Sequence, residues 1–265
     1  MFTTNKPYRI MKQILLSLLC LLSLTATAQE ARDKNILTAL RHGWNFELRA
    51  GLSMGGTAPI PMPREIRGVE KYNPKLNVHV EGQATKWFDP HWGLVMGLRM
   101  EQKGMVTGAR VKNYHTSLLL GGGAEVSGNW TGYVESNYAA ASIVLPISAA
   151  YKINDYGKVQ AGLYAGYRFD GSFTGHVTDG HFRMGSPIGE RVDFPADKQA
   201  TYDFSDELNR FEAGMQLGGS WRAYRHFLVY GELRASFTPI FPGSFTALTT
   251  KLYPIYVSTG FSYLF

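Results

Sequence analysis

The residues with the clearest potential for reaction chemistry lie between positions 172 and 186, where hydroxyl, imidazole and carboxyl groups occur close together. They are Ser172, His176, Asp179, His181 and Ser186. A serine beside a histidine and an acid can act as a nucleophile, and two imidazoles with a carboxylate can hold a metal ion. The spacing matches no nucleophile or metal motif, however, and such residues are common in polar loops. We therefore predict that the protein is not an enzyme and has no metal site and no cofactor.

A second set of charged residues alternates with apolar residues along several segments. A period of two places these charges on one face of β-strands and the apolar residues on the other. The charged face contains Glu47, Arg49, Glu81, Arg99, Glu101, Arg168, Asp170, Arg210, Glu212, Glu232 and Arg234. Acids and bases nearly balance, and one guanidinium can pair with two carboxylates. We predict a structural network of ion pairs, because a buried charge without a partner is costly.

Eight alternating segments carry these residues. They span about residues 43–53, 75–86, 92–102, 139–152, 158–171, 208–222, 227–237 and 253–265. Short connections at 88–91, 154–157 and 223–226 alternate with long connections at 54–74, 103–138, 172–207 and 238–252. The pattern predicts an all-β fold, an eight-stranded antiparallel up-and-down transmembrane barrel with short periplasmic turns and long extracellular loops. Residues 117–120 and 130–135 could form an extra hairpin, so ten strands remain the alternative.

The position of the charges separates a membrane barrel from a soluble one. A soluble barrel would turn charged faces outward, whereas a membrane barrel turns its apolar faces toward lipid. The interior of eight strands is only wide enough for side chains. We therefore expect a lumen that is filled by ion pairs, with no diffusion pore.

Both ends of the chain indicate the bacterial outer membrane. Basic residues, an apolar run and Ala26-Thr27-Ala28 predict a cleaved signal peptide over residues 1–28, with translation starting at Met1 or Met11. Residues 29–42 would form a short periplasmic segment and residues 43–265 the barrel. The last strand places Tyr263 and Phe265 on its apolar face, which resembles the signal read by barrel-insertion machinery. Both termini would then be periplasmic.

The partners that composition and loops suggest are lipids and proteins. The formal charge of +6 includes three basic residues of the signal peptide, so we predict no nucleic-acid partner. The segment 58–67 offers Ile60, Met62 and Ile66 beside three prolines, as either a docking segment or a stiff cap. Basic residues near the rim could pair with lipopolysaccharide phosphates: Arg64, Arg67, Lys71, Lys75, Lys103, Arg110 and Lys112.

Aromatic residues near strand ends indicate interfacial girdles rather than ligand stacking. They are Trp44, Trp87, Trp92, Trp221, Tyr253 and Tyr263. Trp130 lies in a predicted long loop instead. It is therefore a candidate contact for a ligand or a partner.

Four segments resemble the PorT-like outer-membrane β-barrel proteins of Bacteroidota. They are Leu48–Ser53, Gly97–Gly104, Ile143–Ile147 with Tyr151-Lys152, and the Gly-containing closing strand. The resemblance implies an eight-stranded outer-membrane barrel, and the founding member of that family serves a secretion and gliding system. It transfers no functional residue.

Three functional hypotheses follow. The first is a non-enzymatic barrel whose surface loops serve interaction or envelope integrity. The second is an accessory component of a protein export machine, with a secretion-system or surface-protein partner. The third, and the least favoured, is a lipid A-modifying enzyme with its site at the rim, built from the residues between 172 and 186.

Overall fold

The computed structural model describes residues 43–120, 124–248 and 250–265. These ranges contain ten strands and one short 3-10 helix at Ser205–Glu207. The strands are β1 (Trp44–Pro59), β2 (Ile66–Pro74), β3 (Asn77–Trp87), β4 (Trp92–Leu120), β5 (Ala124–Lys152), β6 (Gly157–Met184), β7 (Arg191–Asp203), β8 (Phe211–Tyr224), β9 (Phe227–Ser236) and β10 (Leu252–Leu264). The predicted signal peptide and periplasmic segment lie outside the described residues.

Eight of the strands form a closed ring. Its order is β1, β3, β4, β5, β6, β8, β9 and β10, and an antiparallel pair between β10 and β1 closes it. This confirms the predicted eight-stranded antiparallel barrel. The other two strands do not widen the ring, because β2 pairs with β4, and β7 pairs with β6 and β4. A ten-stranded ring is therefore wrong.

Tight turns join the strands at one end of the barrel, which we call the turn end. The Asp89 carboxylate accepts backbone N–H groups of His91 and Trp92, each at 2.7 Å, and these bonds lower the pKa of Asp89. Asn154 accepts the N–H of Gly157 at 2.7 Å in the next turn. Phe265 lies at the same end, because Glu47 near the start of β1 pairs with Leu264.

An apolar band surrounds the outside of the barrel. On β6, for example, Leu163 is 61% exposed, and Val159 and Phe169 point outward on either side of it. Aromatic pairs mark the band edges. Those at the turn end include Trp92–Tyr151 and Tyr156–Trp221, and Tyr167–Phe211 lies at the far edge. Nowhere in the described ranges is there a helix of the length and apolar character that a membrane crossing requires.

Three strands continue well beyond this band. β4 and β5 each have 29 residues and β6 has 28. They rise past the band, where β2 and β7 pair with them. We call this part the crown and assign to it residues 55–76, 104–120, 124–141, 170–210, 238–248 and 250–252. The prediction of long loops at 103–138 and 172–207 is therefore wrong over most of their length.

The possible extra hairpin is part of the same extension. Ser117 pairs with Ser127 and Tyr114 pairs with Trp130, so segments 117–120 and 130–135 belong to the continuous β4–β5 ladder. A single bridge between Leu119 and Thr201 connects β4 to β7. The upper parts of β4, β5, β6 and β7 thereby form a small closed tube above the barrel.

A β-bulge changes which residues of β6 face inward. Ser142 pairs with Arg168 but Ala141 pairs with Asp170, which leaves Phe169 as the extra residue. An extra residue reverses the alternation of faces beyond it. Arg168 is thus buried below the bulge, whereas Phe173 and Val177 are buried above it.

The crown encloses an apolar core. Its buried members are Met105, Val111, Tyr114, Leu118, Trp130, Tyr138, Ala140, Phe173, Val177, Phe182, Ala200, Tyr202, Phe204, Ile240 and Phe241. Aromatic rings dominate one side, where Phe173 meets Phe241 edge-on with centroids 5.0 Å apart. The core stabilises the crown by apolar burial, as in a soluble domain.

Candidate functional site: a charged lumen

Arg99 lies at the centre of the lumen, on β4. It is 1% exposed, and its Nη2 atom lies 2.6 Å from Glu81 Oε2 and 2.7 Å from Glu232 Oε1. Its Nη1 atom is 3.7 Å from Glu101. Glu81 also accepts the side-chain N–H of Gln83 at 2.5 Å. One guanidinium therefore balances carboxylates from three strands.

A second cluster lies toward the crown. Glu101 contacts Lys103 at 2.9 Å and Arg234 at 2.5 Å, and Lys103 also contacts Glu212 at 3.0 Å. The Tyr164 hydroxyl donates to Glu212 at 2.8 Å. The Arg234 guanidinium lies 3.9 Å from the centre of the Tyr164 ring, within cation–π distance.

A third cluster lies toward the turn end. Glu47 on β1 pairs with Arg49 at 3.2 Å and with Lys158 on β6. Ser262 on β10 donates a further hydrogen bond to Glu47 at 3.3 Å. This carboxylate therefore connects three strands close to where the chain ends.

Several of these ion pairs cross the full width of the lumen. β4 and β9 are four places apart in the ring of eight, so they form opposite walls. Arg99–Glu232 and Arg234–Glu101 join these two walls. Lys158–Glu47 joins β6 to β1, which are also opposite. Ion pairs thus span the lumen from wall to wall.

A hydrogen-bond network around His79 links four neighbouring strands of the ring. The Tyr230 hydroxyl lies 2.5 Å from His79 Nε2, and Ser53 Oγ lies 3.1 Å from His79 Nδ1. Ser53 also contacts Ser258 Oγ at 2.8 Å. The network joins β1, β3, β9 and β10, and Arg49 lies over the Tyr230 ring at 4.9 Å. These contacts add side-chain hydrogen bonds between strands to the ion pairs of the lumen.

The structure corrects two predicted members of the network. Asp170 lies on the outer surface, because the bulge at Phe169 reverses the face on which it lies. Arg210 is exposed and precedes β8, which begins at Phe211. The other nine predicted residues are buried and have oppositely charged neighbours.

Two lumen cations were missed by the sequence reasoning. Lys103 was placed at the rim, but it is 5% exposed and pairs with two glutamates. Lys158 was not assigned to any face, although it lies two residues before lumen-facing Gln160. Extending each alternation by one step would have found both. Among the described residues, the buried charged side chains are then five glutamates and six arginines or lysines.

The residues considered for catalysis do not form a triad. Ser172, His176, Asp179 and His181 lie along β6, and Ser186 lies in the turn after it. Asp179 sits in a second bulge, and its carboxylate pairs with Arg110 at 2.8 Å. Within residues 43–120, 124–248 and 250–265, no group of three His, Cys, Asp or Glu side chains could hold a metal ion.

The other loop predictions have mixed outcomes. Trp130 is fully buried in the crown core, 5.6 Å from Phe194, so it is not a surface contact. Ile66 packs on the same core, whereas Ile60 and Met62 are 51% and 64% exposed. The proline-containing segment is therefore a cap at one end and an exposed segment at the other.

The basic residues predicted near the rim are of two kinds, because some form ion pairs and others are exposed. Lys71 pairs with Glu135 at 2.8 Å, and this hydrogen bond is the main cause that lowers the pKa of Glu135. Arg110 pairs with Glu70 at 3.1 Å as well as with Asp179. Arg64, Arg67 and Lys112 are exposed on the crown.

Comparison with known proteins identifies a family by sequence and several solved structures with limited similarity. A family model described as "Outer membrane protein beta-barrel domain" matches residues 27–242. The attachment invasion locus protein Ail of Yersinia pestis is similar, with 9% identity, a TM-score of 0.38, and coverage of 84% of this chain and 97% of that chain. The outer membrane protein OprG of Pseudomonas aeruginosa is also similar, with 12% identity, a TM-score of 0.35, and coverage of 83% and 95%. No curated protein matches the chain in sequence.

Proposed function

Because this chain belongs to the family of outer-membrane protein β-barrel domains, we propose that it is a closed, non-enzymatic barrel whose lumen is a structural plug and whose crown carries its interactions. The observation that supports this proposal is the set of ion pairs between opposite walls of the lumen. An ion that entered would have to break pairs held at low exposure, which is costly.

The proposed orientation places the turn end in the periplasm and the crown outside the cell. Short turns on the periplasmic side and long extensions on the outer side are usual for such barrels. The exposed Tyr263 and Phe265 at the turn end would then be available to the insertion machinery. On the crown, Arg64, Arg67 and Lys112 would face the phosphates of lipopolysaccharide.

Conductance of the refolded mature protein in a planar bilayer tests the plug. We expect no steady conductance from the native protein. The double variant Arg99→Ala with Glu232→Ala removes one pair between opposite walls, so it should show brief openings. Stable channels from the native protein would contradict the proposal.

Affinity purification from the native outer membrane in mild detergent tests the role of the crown. Recovery of the barrel alone would support an autonomous surface protein. A secretion component recovered in stoichiometric amount would instead support the export role that the PorT-like resemblance implies. Unchanged lipid A mass spectra in a deletion strain would exclude the rim-enzyme hypothesis.

A further inference from the structure

An apolar cavity of about 120 Å³ lies inside the crown. Side chains of β1, β2, β4, β5 and β6 line it, together with Tyr202 of β7, Leu252 of β10, and Met62 and Leu248 from the connections. Its wall includes Met105, Tyr114, Phe173 and Val177, all of which are buried. The cavity is separate from the charged lumen and forms part of the crown core.

The volume is suited to a molecule about the size of one ring. An apolar cavity of roughly 150 Å³ in another protein stays dry and binds benzene. An unfilled space of this kind loses dispersion contacts along its whole lining. A compact apolar molecule would restore those contacts, so occupancy by such a molecule is favourable.

The cavity lining excludes charged ligands. None of its lining residues in the described ranges carries a formal charge. Moving an ionised group from water into such a site has a large free-energy cost. The ligand is therefore neutral.

One polar group in the lining has no partner. Thr57 is 8% exposed, and its Oγ1 atom makes no hydrogen bond within the described protein. Nearby, the Thr57 N–H and the Thr107 hydroxyl both donate to Met105 Sδ, at 3.4 and 3.3 Å. A buried hydroxyl without a partner is destabilising. A hydroxyl or carbonyl oxygen on a ligand would satisfy Thr57.

The mouth of the cavity is also apolar. Met62 and Val69 belong to the lining but are 64% and 55% exposed, and Ile60 beside them is 51% exposed. Single exposed apolar residues need no explanation, but Met62 and Val69 both line the cavity and meet solvent, so they form an apolar path between the two. The path gives a neutral molecule a route of entry.

We propose that the crown cavity binds a small neutral molecule with an apolar, ring-sized body and one hydroxyl or carbonyl oxygen. This goes beyond the closed-barrel role, which requires no ligand. A failure of ligand binding would leave the conductance result unchanged, so the two proposals can be distinguished.

The test uses the mature protein in lipid nanodiscs with 4-fluorophenol as the probe, observed by ¹⁹F NMR. We expect saturable binding, at least tenfold weaker binding of 4-fluorobenzoate, and a similar loss for Ala109→Leu, which fills the cavity. Ala165→Leu is the matched control, because Ala165 lies on the outward face of β6 within the apolar band. It should bind like the native protein.

Two further variants keep the proposal testable if Ala109→Leu fails to fold. Val69→Trp adds bulk at the exposed mouth and should weaken binding without disturbing the core. Thr57→Val should weaken the binding of 4-fluorophenol several-fold but leave the binding of fluorobenzene unchanged. Equal binding by the native protein, Ala109→Leu and Val69→Trp, or none above protein-free nanodiscs, would overturn the proposal.

Discussion

The barrel and the crown are built on the same three long strands, β4, β5 and β6, yet they bury opposite kinds of side chains. On β6, Lys158 and Arg168 face inward in the barrel, whereas Phe173, Val177 and Phe182 face inward in the crown. The outer faces change in the opposite sense, from Leu163 in the barrel to His176 in the crown. The comparison shows that the surroundings of the barrel and of the crown decide which face of a strand is apolar.

The physical reason lies in the solvent outside each half. An apolar outer band removes the barrel from water, so its polar residues are left to the lumen, where they must pair with one another. The crown projects beyond the band and buries apolar groups as a soluble protein does. On β6, the bulge at Phe169 exchanges the two faces at the boundary without breaking the strand. On β4, the same face stays buried and changes from Lys103 to Met105.

The largest expected effect comes from removing the central lumen cation. Arg99→Ala would leave Glu81, Glu101 and Glu232 without their shared partner in a tight interior. Loss of one member of a buried ion pair costs about 3–5 kcal/mol. We expect a decrease of this size in the free energy of unfolding, measured by urea denaturation in lipid vesicles.

Arg110→Ala is the matched control for the crown. Arg110 also contacts two carboxylates, but its side chain is 45% exposed, so water can replace those contacts. Arg110→Ala should therefore decrease the free energy of unfolding much less than Arg99→Ala does. Equal effects of the two substitutions would mean that the lumen is hydrated like a surface.

The second prediction compares a lysine on the outer face of each region. Leu163→Lys places a charge in the apolar band, where such a residue costs about 2–4 kcal/mol near the bilayer centre. Ile188 is 92% exposed in the turn between β6 and β7, and Ile188→Lys should change stability by less than about 0.5 kcal/mol. Folding yield into vesicles and urea midpoints would show the difference. A tolerated Leu163→Lys would place the membrane elsewhere.

The smallest effect concerns a surface pair of the crown. Lys71 lowers the pKa of Glu135, so this pair contributes stability above the unfolded pKa of Glu135 and loses it as the pH falls through the folded pKa. Lys71→Ala should raise the pKa of Glu135 toward its ordinary value and barely change stability at neutral pH. A ¹³C NMR titration of the Glu135 carboxylate measures this. Tyr133→Phe, which removes a weaker contact at 3.3 Å, should shift it less.

The sequence predicted the barrel well because alternation with a period of two is strong where one face meets lipid. It predicted the crown poorly, because the alternation is interrupted there. Asn113 has a φ of 55° and Asp179 a φ of 50°, in the left-handed region, and the strand registers shift at both places. Where the apolar residues move from one face of a strand to the other, the alternation with a period of two is lost. Residues 103–138 and 172–207 were therefore predicted to be loops.

The charged residues of the lumen were likewise predicted correctly only where the alternation is regular. Glu47, Arg49, Glu81 and Arg99 were found because they lie in regular stretches of strand. Asp170 was placed inward because the extra residue at Phe169 is not visible in the sequence. Lys103 was assigned to the rim because the strand was ended too early. Each error lies at the end of a predicted strand or beyond a bulge: Arg210 and Lys158 lie where a strand begins, Lys103 where one was ended too early, and Asp170 just after the bulge.

The sequence by itself determined the antiparallel membrane barrel, its apolar outer band and the balance of charges along one face, since all three depend on local alternation and composition. Only the tertiary structure decided which charges pair across the lumen, where the faces exchange, and that the crown closes around an apolar cavity. Those features depend on which strands stand opposite one another and on bulges in the ladders. Neither is fixed by the spacing of residues along the chain.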